Sequence, residues 1–144
     1  MTNDSNILSQ IQTLGKKVLP KGSSVLLYGS RARGDNREDS DYDLVVLVDK
    51  DKQQLQDFTD YAYPFMEMGW DLGAEINPML YTRKEWSERH FTPFYKNVEH
   101  DKIVLVWGAQ TISIWVIDRH RAIVNAITIP LLRQRKNRPS DLRR

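Results

Sequence analysis

The 144-residue chain carries 21 Lys/Arg against 19 Asp/Glu, a formal net charge of +2, and no cysteine. The length suits one domain with a real core, and 40% hydrophobic with 28% charged residues is ordinary for a soluble globular protein. Without cysteine, disulfides, thiolate metal sites and cysteine nucleophiles are excluded.

The small net charge conceals an asymmetry. Met1–Asp118 holds 13 Lys/Arg and 18 Asp/Glu, whereas Arg119–Arg144 holds eight Lys/Arg and one Asp. The body is acidic, so nucleic-acid binding is not expected of it; only the basic tail offers such a surface. The polar start, Met1-Thr-Asn-Asp-Ser-Asn, has no signal-peptide pattern, and a cytoplasmic protein is expected.

In chain order, Asn3–Leu19 predicts a helix with Ile7, Leu8, Ile11, Leu14 and Val18 on one face. Pro20-Lys21-Gly22 stops it. Ser24–Tyr28 predicts a short buried strand, Gly29–Ser40 a loop with about one helical turn, and Asp41–Asp49 a second strand. Lys50–Glu67 reads as a helix with Leu55, Phe58, Ala62, Phe65 and Met66 inward, kinked or broken at Pro64. A third strand is expected over Gly73–Tyr81. Thr82-x-x-Glu85 is a capping box opening a short helix, and Thr92-Pro93 opens another that carries Phe94, Tyr95 and Val98. Lys102–Trp107 reads as a fourth strand and Thr111–Ile117 as its partner. The apolar stretch 103–117 is too short and too polar for a membrane span, and Arg133–Arg144 reads as disordered. This divides the chain into a domain at 1–107 and a C-terminal extension at 108–144.

The chemistry concentrates in Gly29-Ser30, ten residues, then Asp41-Tyr42-Asp43 at the head of an apolar strand. Residues i and i+2 of a strand point to one face, so Asp41 and Asp43 aim two negative charges at one point. Like charges held together are costly without a cation. A hard divalent metal, Mg²⁺ above all, takes one or two carboxylates together with phosphate oxygens. Gly29 allows close backbone approach and Ser30 offers a hydroxyl and an N–H, which suits a phosphate. A phosphate grip beside a metal grip is what nucleotidyl transfer requires. An acidic turn before a strand would account for the two aspartates alone, but not for the combination with Gly29-Ser30 at this spacing.

These residues, Gly29-Ser-Arg-Ala-Arg-Gly34 through Ser40-Asp-Tyr-Asp-Leu44, resemble the signature of the DNA polymerase β-type nucleotidyltransferase superfamily, in particular its minimal nucleotidyltransferase (MNT) branch. The resemblance spans about residues 5–107 and is specific over 28–49. It implies a small α/β fold with a mixed sheet flanked by helices, ATP as the nucleotide donor, and two Mg²⁺ ions. It implies further that Gly29 and Ser30 hold the β- and γ-phosphates, and that Asp41 and Asp43 hold the metals. Many such proteins are antitoxins paired with a helical HEPN ribonuclease toxin, and can transfer AMP to a tyrosine hydroxyl of it. The family also adds a third carboxylate on a later strand, for which Glu75 is preferred and Asp71 is the alternative.

Arg33 is the arginine of the loop best placed to meet a triphosphate, the alternative being charge balance with Asp35, Glu38 and Asp39. The aromatic residues Tyr61, Tyr63, Phe65, Trp70, Tyr81, Trp86, Phe91, Phe94 and Tyr95 are expected mainly in core and interface, although one would suit an adenine. The histidines have no metal-ligand spacing.

Three functions fit the sequence. The first is protein adenylyltransferase, a type VII-like antitoxin. The second is a nucleotide-binding antitoxin acting by contact, without catalysis. The third is a small-molecule transferase of the aminoglycoside type, disfavoured because nothing after Trp107 would hold such an acceptor.

Overall fold

The computed structural model describes residues 3–108. Helix α1 (Asn3–Val18) forms where Ile7 and Ile11, one turn apart, both become buried, with Asp4 in its first turn and Lys16 and Lys17 in its last. That charge order complements the helix dipole. β1 (Ser24–Tyr28) follows the Pro20-Lys21-Gly22 break, and a single turn, α2 (Ser30–Arg33), leads into the loop before β2 (Tyr42–Val48). A segmented helix comes next: α3 (Leu55–Asp57), a π-helical turn (Phe58–Ala62) and α4 (Tyr63–Leu72). β3 (Ile76–Thr82), α5 (Arg83–Glu88), α6 (Pro93–Asp101) and β4 (Ile103–Val106) complete the described chain.

The sheet runs β3-β2-β1-β4. β1 is antiparallel to both β2 and β4, while β2 and β3 are parallel. This is the mixed α/β sheet expected. One face packs Val25, Leu27, Leu44, Val46 and Val48 against α1 residues Ile7 and Ile11 and against Phe65 of α4. The other packs Leu26, Val45, Leu47 and Tyr81 against Trp86 of α5 and Val98 of α6. β2 is covered on both sides, which is why its sequence is almost continuously apolar after Asp43. Both capping predictions hold: Thr82 Oγ1 accepts from Glu85 N–H at 3.0 Å, and Thr92 Oγ1 from Tyr95 N–H at 3.2 Å.

The helix after β2 departs from its prediction: it starts at Leu55 rather than Lys50, and its course and buried face change as well. Pro64 cannot donate to a carbonyl one turn back, and the chain widens to a π turn immediately before it. That turn changes the helical phase, so positions before it no longer share a face with those after it. Ala62 and Phe65 are buried as expected, but Leu55 is 99% exposed and Phe58 46% exposed. The helix also continues to Leu72 rather than stopping at Glu67, and Gly73 ends it. Strand β3 therefore starts at Ile76, leaving Gly73–Glu75 as its approach. Because Leu55 contributes nothing to the core, Leu55→Ser should change unfolding free energy by less than ~0.5 kcal/mol. A shift in the urea midpoint corresponding to a buried leucine would contradict this placement.

Among the described residues no helix is long and apolar enough to cross a membrane. The expected strand at 111–117 and the basic tail lie outside the described residues.

Candidate active site

The antiparallel register pairs Tyr28 with Asp43, so the end of β1 lies beside the start of β2. The next residue, Gly29, takes φ 76° and ψ −159°. A Cβ at Gly29 would lie 2.7 Å from Asp43 Oδ2. Only glycine combines that backbone conformation with that approach. The Ala32 and Arg33 N–H groups both donate to Gly29 O at 3.1 Å, which turns Ser30 immediately beyond the strand. The structure thus brings the Gly29-Ser30 turn against the Asp41/Asp43 pair, the juxtaposition expected from the sequence.

The intervening loop is fixed by Arg31 rather than Arg33. Its guanidinium donates to Ser40 O at 2.8 Å and Glu38 O at 3.0 Å, pairs with Asp4 at 2.9 Å, and stacks 4.0 Å above the Tyr42 ring. Tyr42 in turn donates its hydroxyl to Asp4 at 2.6 Å. With its side chain only 8% exposed, Arg31 holds the far end of the loop where Asp41 begins. Arg33 instead points outward to Asp35 and Asp101, each at 3.2 Å. Those two carboxylates raise its pKa further, by hydrogen bonding first and charge second.

Asp41 and Asp43 meet Asn77. In the parallel ladder Asn77 is the partner of Asp43, and its Nδ2 donates to Asp41 Oδ2 at 3.1 Å. Burial pushes the Asp43 carboxyl above the usual aspartate range; the Asn77 amide opposes the shift and the Asp41 charge adds to it. Tyr28 closes the same corner, edge-on to Phe94 at 5.5 Å. Its hydroxyl is pushed up to about 12 by burial, then by the charge of Asp43 and by Tyr81. It is a neutral phenol at physiological pH.

Glu75 is exposed and lies just outside β3, its carbonyl accepting from Tyr42 N–H at 2.8 Å. Asp71 is exposed in the last turn of α4. Among the described residues no three His, Cys, Asp or Glu side chains gather in a group that would hold a metal. The geometry places the Asn77 amide against the aspartate pair, with Glu75 two residues earlier, beside Tyr42, and its side chain exposed. The sequence held a signal for this. Asn77 is two residues from Glu75 on the same strand face, and moving the strand start to Ile76 favours the later residue. The oxygen donors of Asp41 and Asp43, one of them raised in pKa by burial and by its neighbour, fit a hard divalent cation such as Mg²⁺.

Of the aromatic residues, Tyr81, Trp86, Phe94 and Tyr95 build the core beneath the site. Trp70 is 60% exposed and borders a cavity of about 500 Å³ with Met66, Glu75 and Asn77. A larger cavity, about 610 Å³, opens around Asp4, Arg31, Ser40 and Tyr42 and does not include the aspartate pair. His100 pairs with Asp101 at 2.8 Å.

The sequence profile of a nucleotidyltransferase domain matches residues 6–106. The chain belongs to the nucleotidyltransferase-domain family. The match contains Gly29, Ser30, Asp41, Asp43 and Asn77. Among solved structures, a toxin-antitoxin with AMP-PNP is similar at 19% identity and a TM-score of 0.50, over 72% of this chain and 74% of that one. A candidate nucleotidyltransferase from Sulfolobus solfataricus is similar at 18% identity and a TM-score of 0.49, over 85% and 89%. The first likeness concerns the fold. No curated protein matches in sequence. For this nucleotidyltransferase domain, the mixed sheet is the scaffold that carries Gly29-Ser30 on one strand end and Asp41/Asp43 on the next.

Proposed function

We propose that this domain transfers AMP from ATP to a protein hydroxyl, the acceptor being a tyrosine of a cognate HEPN-type toxin that it thereby silences. The observation that carries the reading is the contact of two grips: the Gly29 backbone packs directly on the Asp43 carboxylate. Gly29 and Ser30 would receive the β- and γ-phosphates, and Asp41 and Asp43 would hold Mg²⁺. When bound, Mg²⁺ supplies positive charge to the phosphate oxygens. The acceptor oxygen bonds to the α-phosphorus, the bond to the bridging oxygen breaks, pyrophosphate leaves, and the hydroxyl proton passes to water. Arg31 fixes the loop so that Asp41 needs no rearrangement. Arg33, exposed on the same loop, would meet the triphosphate or the partner only by exchanging its bonds to Asp35 and Asp101. Two further observations support this reading: the nucleotidyltransferase family itself, and the fold shared with a toxin-antitoxin crystallised with AMP-PNP.

One observation favours a second reading. The side chain hydrogen-bonded to Asp41 across the strands is the Asn77 amide rather than a carboxylate, which suits an antitoxin that binds nucleotide and neutralises by contact. Co-expression separates the two. The Asp41→Asn/Asp43→Asn double variant should fail to rescue cells from the toxin while still folding and still binding it. Full rescue by the double variant would instead establish neutralisation by contact.

A further inference from the structure

We infer that Asn77 limits this site to one tightly held divalent cation per bound nucleotide, where the superfamily resemblance implies two. The inference rests on the nucleotide reading above. Two parallel strands set the position: Asp43 and Asn77 are register partners, so residue 77 is the nearest side chain of β3 to the aspartate pair. An acid there would make a third anionic group at the same point. The residue is an amide, and its Nδ2 donates to Asp41 Oδ2 at 3.1 Å. Glu75 and Asp71, the carboxylates that precede β3 in the chain, are both exposed, and among the described residues no three-carboxylate group that could hold a metal forms.

Charge counting decides the consequence. The nucleotide phosphates supply charge to whichever ions bind beside them, so the protein's own share decides the difference. Asp41 and Asp43 supply two carboxylates, and beside them stands an amide whose N–H is aimed at an Asp41 oxygen rather than a third anionic ligand. Rotation of the amide by 180° would present Oδ1 as a ligand, but a neutral one. Divalent-ion affinity follows ligand charge count, so the second ion is bound weakly. Asn77 is thus a positioning residue: it orients the Asp41 carboxylate and withholds the charge a second ion needs.

Electron paramagnetic resonance of Mn²⁺ tests this on the full chain with equimolar α,β-methylene-ATP. Two Mn²⁺ ions in one site lie about 4 Å apart and give a coupled dinuclear spectrum. The wild type should retain one uncoupled Mn²⁺ with its nucleotide after gel filtration. Asn77→Asp should bind a second, coupled ion at least about tenfold more tightly than the wild type does, and Asn77→Ala should stay at one. Circular dichroism establishes that both variants fold. A coupled pair in the wild type, or a folded Asn77→Asp that gains no second ion, overturns the inference and leaves the nucleotide reading standing. Failure of the wild type to retain any nucleotide or Mn²⁺ overturns the nucleotide reading, and this inference with it.

Discussion

Asp43→Asn should lower AMP transfer by ~10³-fold, the scale of losing one preorganised electrostatic group, while making the fold slightly more stable at neutral pH. The two effects have one origin. Burial and the neighbouring Asp41 hold the Asp43 carboxyl above its ordinary pKa. An acid whose pKa is raised on folding binds its proton more tightly in the native state. Its ionisation therefore costs stability above the unfolded pKa of about 3.9. Removing the charge relieves that cost at pH 7, and the gain should vanish as the pH falls below about 4, where wild-type Asp43 is protonated in both states. Urea midpoints of the two proteins at pH 7 and at pH 3.5 measure this directly. A variant less stable at pH 7 would mean that the carboxylate is a structural partner rather than a strained site group. Retained transfer would mean that Asp43 does not hold the metal.

Gly29→Ala should combine a loss of stability of ~1–3 kcal/mol, from a non-glycine residue held at φ 76°, with a ~10²-fold loss of transfer. The second effect comes from displacement. The new Cβ would sit 2.7 Å from Asp43 Oδ2, closer than atoms approach, so the carboxylate must move. Shifts of about 1 Å at a reacting centre cost ~10²-fold. Gly34 is the internal control. It has a similar backbone angle, φ 81°, but a Cβ there meets nothing within 4 Å. Gly34→Ala should therefore show the stability loss without the additional loss of transfer. Equal activity losses in the two variants would reduce the Gly29 effect to backbone strain alone. Denaturant unfolding together with single-turnover transfer rates distinguishes these outcomes.

Much of this was legible in the sequence because the signals were local. The Thr82-x-x-Glu85 and Thr92-Pro93 caps specify their helices through side-chain hydrogen bonds within one turn. Gly29-Ser30 and Asp41-x-Asp43 declare themselves by residue type, and the strand alternation that puts both aspartates on one face is a property of the backbone. What was not legible depended on contacts distant in sequence. An inward Leu55 requires one regular 3.6-residue period from Lys50 up to Pro64, and the π turn at Phe58–Ala62 breaks that period ahead of the proline. Arg31 and Arg33 look alike in sequence. Only the approach of Asp4 and Tyr42, from α1 and β2, makes Arg31 the loop clamp and leaves Arg33 outside. The preference for Glu75 rested on charge and on a strand start placed three residues early. The parallel register with β2 puts Asn77 opposite Asp43, a pairing between strands distant in sequence that residue type alone does not show.

The central claim is chemical transfer of AMP, and transfer of label tests it most directly. The protein is mixed with Mg²⁺, its cognate toxin and ATP labelled in either the α- or the γ-phosphate. The account predicts that α-label becomes covalently attached to the toxin, that γ-label leaves as pyrophosphate, and that Asp43→Asn slows both by ~10³-fold. Attachment of γ-label, or toxin silenced with no label attached, would contradict it.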